Sequence, residues 1–458
     1  MGPMGSGDEV KYPPGPRGLE TFGFLGRGSA ARALAFLEQT ARRFGPISSF
    51  SILGRRVFLI DDPALIEDVL VTRQHQFVRD TGATLLRELL GDGLLTSDEP
   101  RHRERRRLLQ PAFHREQVAT YAASMVAESE RMGRDWEGRD TIDIRTEMRK
   151  LTLSIVGTCL FGADFRESTE QIAAVLRRVV RRIALLGPAF LFLEPAALLY
   201  RRLFPRGPSL VFRAERAELE RIIKPIVQQR RGSNMADLLS ILLRLRDDSD
   251  APLTDEEVCN EAVTLVLAGN ETTAAALTWA WFLISHHPDV EQRFHAELDM
   301  VLGGHCPGFE DIPKLRYTSM ILQEAMRLYP PALAFGRRPI EPVELGGYTI
   351  PAGMSILLSP YVTHRNQRWF KDPEVFDPTR WENASIPKFA YFPFGGGAKM
   401  CIGEPFARME AVLAIATLGK VWSLHAVAQS TVGPAPGITL RPTGNIDMRP
   451  IKRAPAPR

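Results

Sequence analysis

The longest run of one periodicity in the chain lies between Thr254 and His286. Thr254-Asp255-Glu256-Glu257 has the composition of a capping box, in which a hydroxyl and a carboxylate three residues apart satisfy each other's backbone N–H. Apolar residues then recur at helical spacing until His287-Pro288 ends them. Roughly 30 helical residues span about 45 Å, enough to cross a whole domain. The 458 residues admit two or three domains or one large one. At the middle of this rod lies Ala268-Gly269-Asn270-Glu271-Thr272-Thr273. Glycine and a polar cluster inside a buried helix cost stability unless they serve something else. A locally solvated helix face is the plain alternative.

A second stretch constrains the chemistry. Phe394-Gly-Gly-Gly-Ala-Lys-Met-Cys-Ile-Gly403 holds one cysteine, Cys401, among four glycines, and Glu404-Pro405 then opens an apolar helical run from Phe406 to Leu418. Proline in a first turn is a start signal. The spacing places Cys401 in a tight loop feeding a helix N-terminus, where N–H groups and the helix dipole favour a thiolate. A lone cysteine is more often a small buried hydrophobe.

Composition excludes several classes. Hydrophobic content of 44% and charged content of 24% are those of a globular protein, and a net charge of +4 is too small to argue for nucleic acid. Cys159, Cys259, Cys306 and Cys401 form no CxxC, so neither a zinc ribbon nor a dithiol redox motif is supported. This usage fits a reducing cytoplasm. Residues 1–12 lack an apolar core and read as a flexible start, neither signal peptide nor anchor. The expectation is a cytoplasmic protein without an integral membrane span.

Along the chain, Ala30 to Phe44 reads as an amphipathic helix, Ile47 to Ile60 as a hairpin around Gly54, and Asp62-Pro63 as the start of a helix through Leu70. Arg101-His-Arg-Glu-Arg-Arg-Arg107 is a charge run, usually a solvated helix face. His102 and Arg106, four apart, stand one above the other on a helix. Residues 183–200 are nearly all apolar but interrupted by Pro188, Glu194 and Pro195, and fall short of the about 20 residues of a membrane span. They read as a two-helix lid, with a core hairpin as the alternative. Tyr317 to Leu328 is another helix, with Glu324 and Arg327 on one face. Gly346 to Gly353 and Ile356 to Leu358 read as strands, with Tyr348 to Gly353 turning between them. The segment from Gly433 carries short β runs, and 454–458 a mobile tail.

Phe-x-x-Gly-x-basic-x-Cys-x-Gly resembles the haem-ligand loop of the cytochrome P450 family, with Lys399 where the family usually has arginine or histidine. The resemblance runs from about Pro13 to Arg453 through five motifs in order. It implies a mainly α fold with some β, one large helical domain (13–453) with a small β-sheet region. The implied cofactor is haem b, bound through the Cys401 thiolate, with Phe394, Gly395, Lys399 and Gly403 in the loop, His102, Arg106 and Arg337 toward the propionates, and Ala268 above the iron. Glu271 and Thr272 match the family's acid–alcohol pair. Leu94, Leu95, Leu265, Ala268, Ala332, Leu333 and Ile438 are the implied pocket positions, with Leu95 toward the haem. Glu324, Arg327 and Arg380, before Trp381, resemble its structural Glu–Arg–Arg network. The remaining arginines of 101–107 would offer a basic face to an acidic electron donor.

The implied reaction inserts one oxygen atom from O2 into an apolar small molecule: a fatty acid, terpenoid, steroid-like or polyketide compound. Electrons would come from NAD(P)H through a ferredoxin and ferredoxin reductase, or a flavodoxin-type donor, since no such module is fused to the chain. A peroxygenase of the same fold usually loses the acid–alcohol pair, a haem sensor needs none, and a cysteine hydrolase needs a positioned histidine. Cys401→Ser is expected to abolish thiolate-ligated haem, because a neutral hydroxyl is a poor substitute for a soft anionic sulfur. The reduced carbon-monoxide spectrum checks this; a retained red-shifted band means another ligand.

Overall fold

Thr254 caps the long helix as its neighbours predict. Its hydroxyl accepts from the Glu257 N–H at 3.3 Å, and the Glu257 carboxylate accepts from the Thr254 N–H at 3.0 Å. The helix runs Asp255–His286 over 32 residues, and most of its length is buried. A helix apolar on all sides needs neighbours on all sides. Ile144–Phe161, Arg213–Arg230, Arg316–Leu328 and Glu404–Val421 supply them. The computed structural model describes residues 12–21, 30–52, 54–163, 168–186, 212–231, 237–245, 251–383, 385–427 and 432–454. Most of the expected lid (183–200), nearly all of the flexible start (1–12) and most of the tail lie outside them.

Gly269 lets two helices approach: a Cβ there would meet Val156 Cγ2 at 2.9 Å. The helix is unbroken across it, so glycine serves packing between helices. Asn270 fastens the same contact. Its Nδ2 donates to the Arg149 carbonyl at 2.8 Å, and the Thr152 hydroxyl donates to the Asn270 carbonyl at 3.1 Å.

A five-stranded sheet stands beside the helices, in the order Ile47–Ile52, Arg55–Ile60, Ser355–Leu358, Phe335–Pro339, Phe77–Arg79. Only Arg55–Ile60 and Ser355–Leu358 pair in parallel. The register sets Arg79 directly opposite Arg337. Ile142–Asp143, Asp447–Lys452 and Trp422–Ala426 make a second, antiparallel sheet. One local expectation is corrected. Tyr348–Ile350 is a strand paired with Val343–Leu345, and the turn lies before it at Gly346-Gly347. A type I′ hairpin loop takes positive φ at both positions, and Gly346-Gly347, at +59° and +79°, supplies them. Likewise, the helix from Pro63 ends at Glu67 and continues as one wider turn, Asp68–Thr72. No helix among the described residues is long and apolar enough to cross a membrane.

Glu324 and Arg327, both fully buried, hold this body to the segment before the cysteine loop. The Glu324 carboxylate accepts from Arg327 at 2.8 and 2.9 Å, from Arg380 Nε at 3.0 Å, from Trp381 Nε1 at 2.9 Å and from the Asp377 N–H at 3.1 Å. Arg327 also donates to the carbonyls of His364, Pro373 and Val375. Removing one member of such a pair leaves an uncompensated buried charge. Arg327→Ala is therefore expected to lose about 3–5 kcal/mol of stability, measured by denaturant unfolding. A loss below about 1 kcal/mol, the range of a surface pair, would contradict this.

Candidate active site

The cysteine loop is shaped by its neighbours. Gly395 and Gly397 take φ of +73° and +68°, a region open mainly to glycine. A Cβ on Gly397 would lie 1.8 Å from the Leu70 carbonyl oxygen, and one on Gly396 2.5 Å from the Phe389 ring. The Cys401 N–H donates to the Phe394 carbonyl at 3.0 Å. Helix Glu404–Val421 begins three residues on, with Pro405 in its first turn.

The N–H groups of Gly403 and Glu404 and the charge of Arg106 favour a Cys401 thiolate. Burial, aided by the Glu404 carboxylate, outweighs them and raises the thiol above its ordinary value. The expected pull of the helix start toward thiolate is present, and desolvation exceeds it. Coordination to a metal reverses the balance, because it deprotonates a thiol.

Cys401 nevertheless has open surface. Open surface on a side chain so strongly desolvated points to a recess rather than to the outer face. Ala268 has the same property: it is exposed midway along a helix that is buried on either side of it. Leu95 and Ile438 are exposed large apolar residues at 40% and 38%. Leu94 and Leu265 instead pack into the main core. Ala332 and Leu333 are half-buried, Leu333 against a separate cluster around Leu34 and Phe50.

Positive charge gathers near this opening. Burial first, then the charges of Arg79 and Arg337, lower Lys399 to about 8. Burial and Arg79 lower Arg337 to about 10, and His102 to about 4. His102 Nδ1 lies 3.0 Å from the Glu99 carboxylate. Burial, opposed by Asp98 and Glu99, lowers Arg79 to about 10, and its Nε has no hydrogen-bond partner. Arg337 Nη1 donates only to the neighbouring Gly336 carbonyl. Arg106 donates to the Met400 carbonyl at 2.6 Å. Like charges opposite each other on paired strands repel, and buried charges need partners. Arg79, Arg106, Arg337 and Lys399 thus form a buried or half-buried cation cluster, opposed nearby by the carboxylates of Asp80, Asp98 and Glu99.

Glu271 and Thr272 both lie on the long helix. Thr272 Oγ1 donates to the Ala268 carbonyl at 2.6 Å. Glu271 Oε1 lies 3.0 Å from Arg149 Nη2, and the charges of Arg145 and Arg441 also act on it.

The arginine run divides, against the expectation of one basic face. Arg105 is buried and pairs with Glu257, and Arg101 pairs with Asp92 and Glu257 at 2.9 Å. Arg103 and Arg107 face outward. A helix seated against another must turn one face inward.

A profile of the cytochrome P450 family matches residues 13–444. The chain belongs to the cytochrome P450 family. It is 37% identical to cyclooctatin synthase of Streptomyces melanosporofaciens, over 94% of this chain and 92% of that one. It is 36% identical to cyclooctat-9-en-7-ol 5-monooxygenase of the same organism, over 89% and 87%. To pentalenene oxygenase of Streptomyces avermitilis it is 33% identical, over 86% and 87%. This P450 is a haem-thiolate monooxygenase that inserts one oxygen atom from O2 into an apolar organic substrate.

The residues present fit haem. An internal opening bears a cysteine at a helix N-terminus, and nearby cations, one with an orphaned nitrogen, match a group that carries carboxylates. Arg79 joins this cation cluster, and sequence reasoning misses it. Nothing local marks it; only the pairing with Arg337 reveals it. Arg149 is missed likewise, because its tie to Glu271 crosses between helices. Arg79→Ala is expected to speed haem transfer to apomyoglobin about tenfold, since a charge-assisted contact contributes about 1.5–3 kcal/mol, and Lys399→Ala less, as a point charge on a flexible stem. Transfer rates equal to wild type in both variants would remove these residues from the cofactor site.

Proposed function

We propose that this P450 oxygenates a cyclic terpenoid hydrocarbon or alcohol. The observation that carries the substrate class is the likeness, over most of both chains, to relatives named for cyclooctat-9-en-7-ol and pentalenene. The apolar open surfaces of Leu95, Ala268 and Ile438 support it. Electrons pass from NAD(P)H through a ferredoxin reductase and a ferredoxin, and outward-facing Arg103 and Arg107 give an acidic donor a surface to meet.

Cys401 holds the haem iron, with Arg79, Arg106, Arg337 and Lys399 toward its carboxylates. Haem, when bound, supplies the iron at which dioxygen is activated. The protein's own task is delivering protons to a pocket that otherwise excludes water. Thr272 Oγ1 carries one hydroxyl proton and can donate and accept through the same atom. In the structure that proton is held on the Ala268 carbonyl. Glu271, the next residue toward solvent, exchanges protons with Thr272 when its carboxylate leaves Arg149. Arg149 therefore holds the acid in reserve between turnovers.

Positioned proton delivery contributes typically about 10²–10⁴-fold. Thr272→Ala is expected to bind substrate and accept electrons nearly as wild type while releasing them as hydrogen peroxide. NAD(P)H consumed, peroxide released and product formed are to be measured with a ferredoxin and its reductase, over a panel of cyclic terpene hydrocarbons and fatty acids. Wild-type coupling in Thr272→Ala rules out this role for the hydroxyl. Turnover of fatty acids but no terpene overturns the substrate class.

A further inference from the structure

Glu261 is a buried carboxylate outside the chemistry described above. It lies on the long helix, and both its oxygens accept from one donor, the Leu94 N–H, at 3.0 and 3.1 Å. Arg105 Nε stands 4.0 Å behind it, and Arg105 also pairs with Glu257. Burying a carboxylate is costly unless it is paired and hydrogen-bonded, and here the arrangement serves a single peptide group.

That peptide belongs to a loop that is stiff in itself. The Thr96 hydroxyl donates to the Gly91 carbonyl at 2.6 Å and accepts from the Gly93 N–H at 3.2 Å. The N–H groups of Thr96 and Ser97 both reach the Gly93 carbonyl. The loop is also seated tightly on the long helix. A Cβ on Gly91 would meet Asn260 Oδ1 at 2.3 Å, and one on Gly93 would meet Glu261 Oε2 at 3.1 Å and Thr264 Oγ1 at 3.2 Å. Leu94 buries its side chain in the core, and Leu95, next in the chain, has the open surface. The Leu94 carbonyl lies 3.5 Å from Arg79 Nη2. One residue, Leu94, is thus held from the long helix through its N–H and approached by the cation cluster at its carbonyl.

We propose that Glu261 is a specificity-determining positioning residue: by holding the Leu94 peptide it fixes where Leu95 stands in the substrate pocket. Leu95's place as a pocket wall rests on the function proposed above, whereas the Glu261–Leu94 contact does not. Because the loop is stiff, losing this one anchor shifts Leu95 with the segment around it. Leaving a buried N–H without its acceptor costs enough for about a tenfold effect.

The test uses haem-loaded wild type, Glu261→Leu, Glu261→Gln and Gly93→Ala. Two probes bind the iron: imidazole, which is small, and 4-phenylimidazole, which reaches the pocket walls. Glu261→Leu is expected to weaken 4-phenylimidazole about tenfold and imidazole by less than about twofold, and to speed hydrogen exchange at the Leu94 amide. Glu261→Gln keeps an acceptor oxygen and is expected to stay near wild type in both readings. If Glu261→Leu does not load haem, Gly93→Ala carries the test, since its methyl crowds Glu261 and is expected to shift both readings the same way. Unchanged Leu94 exchange, or equal effects on the two azoles, in a haem-loaded variant overturns the proposal. Absence of the thiolate carbon-monoxide band in wild type would instead count against the cofactor reading.

Discussion

Burying several cations beside one another governs the architecture around the site. Arg79 and Arg337 face each other across paired strands, and Lys399 and His102 feel their charge. Such a cluster disfavours its own folding unless anions meet it, because desolvation and repulsion act in the same direction. Two elements from distant parts of the chain must hold it together. The five-stranded sheet supplies Arg79 and Arg337, and the cysteine loop supplies Lys399. The buried Glu324 clasp holds the segment leading to that loop, so the loop cannot relax away from the repulsion. A bound haem, which carries carboxylates, would turn this liability into an affinity.

The long helix meets a second constraint. It is buried on most sides and yet presents Ala268, Glu271 and Thr272 to an opening. Gly269 and Asn270 allow this by bringing Ile144–Phe161 close on the opposite side, through a missing Cβ and two side-chain hydrogen bonds. The same neighbour helix carries Arg149, which pairs with Glu271. Packing and proton handling are therefore linked in one helix pair, and the polar cluster costs less stability than its burial alone implies. The arginine helix shows a similar division of labour, with Arg105 turned in toward Glu257 and Arg103 left to solvent.

Much was legible from the residues where the physics is local. The capping box at Thr254, proline in a first turn at Pro405, and the glycine-rich loop before Cys401 each act within a few residues. Their effects appear where the spacing put them. Misreadings came where local signals competed. Tyr348–Ile350 was read as turn because proline and glycine follow it, while the Gly346-Gly347 pair held the actual reversal. Gly269 was read as a cost to the helix unless it serves something else, and the structure shows what it serves: a Cβ there would meet Val156. The Cys401 thiol was assigned to a helix dipole whose effect desolvation exceeds.

By itself the sequence determined a helix-rich chain, a cysteine at a helix start, a polar break in a long apolar helix and, through motif order, membership of the P450 family. The first three follow from short-range sterics, capping and periodicity, and the last from the resemblance of the motifs. Only the tertiary structure decided that Arg79 stands opposite Arg337, that Arg149 holds Glu271, that Leu94 packs in the core while Leu95 is open, and that Glu261 grips the N–H of Leu94 just before Leu95. Those pairings depend on strand register, helix rotation and the depth of burial. All three are set by how distant segments pack, and no window of sequence contains both partners.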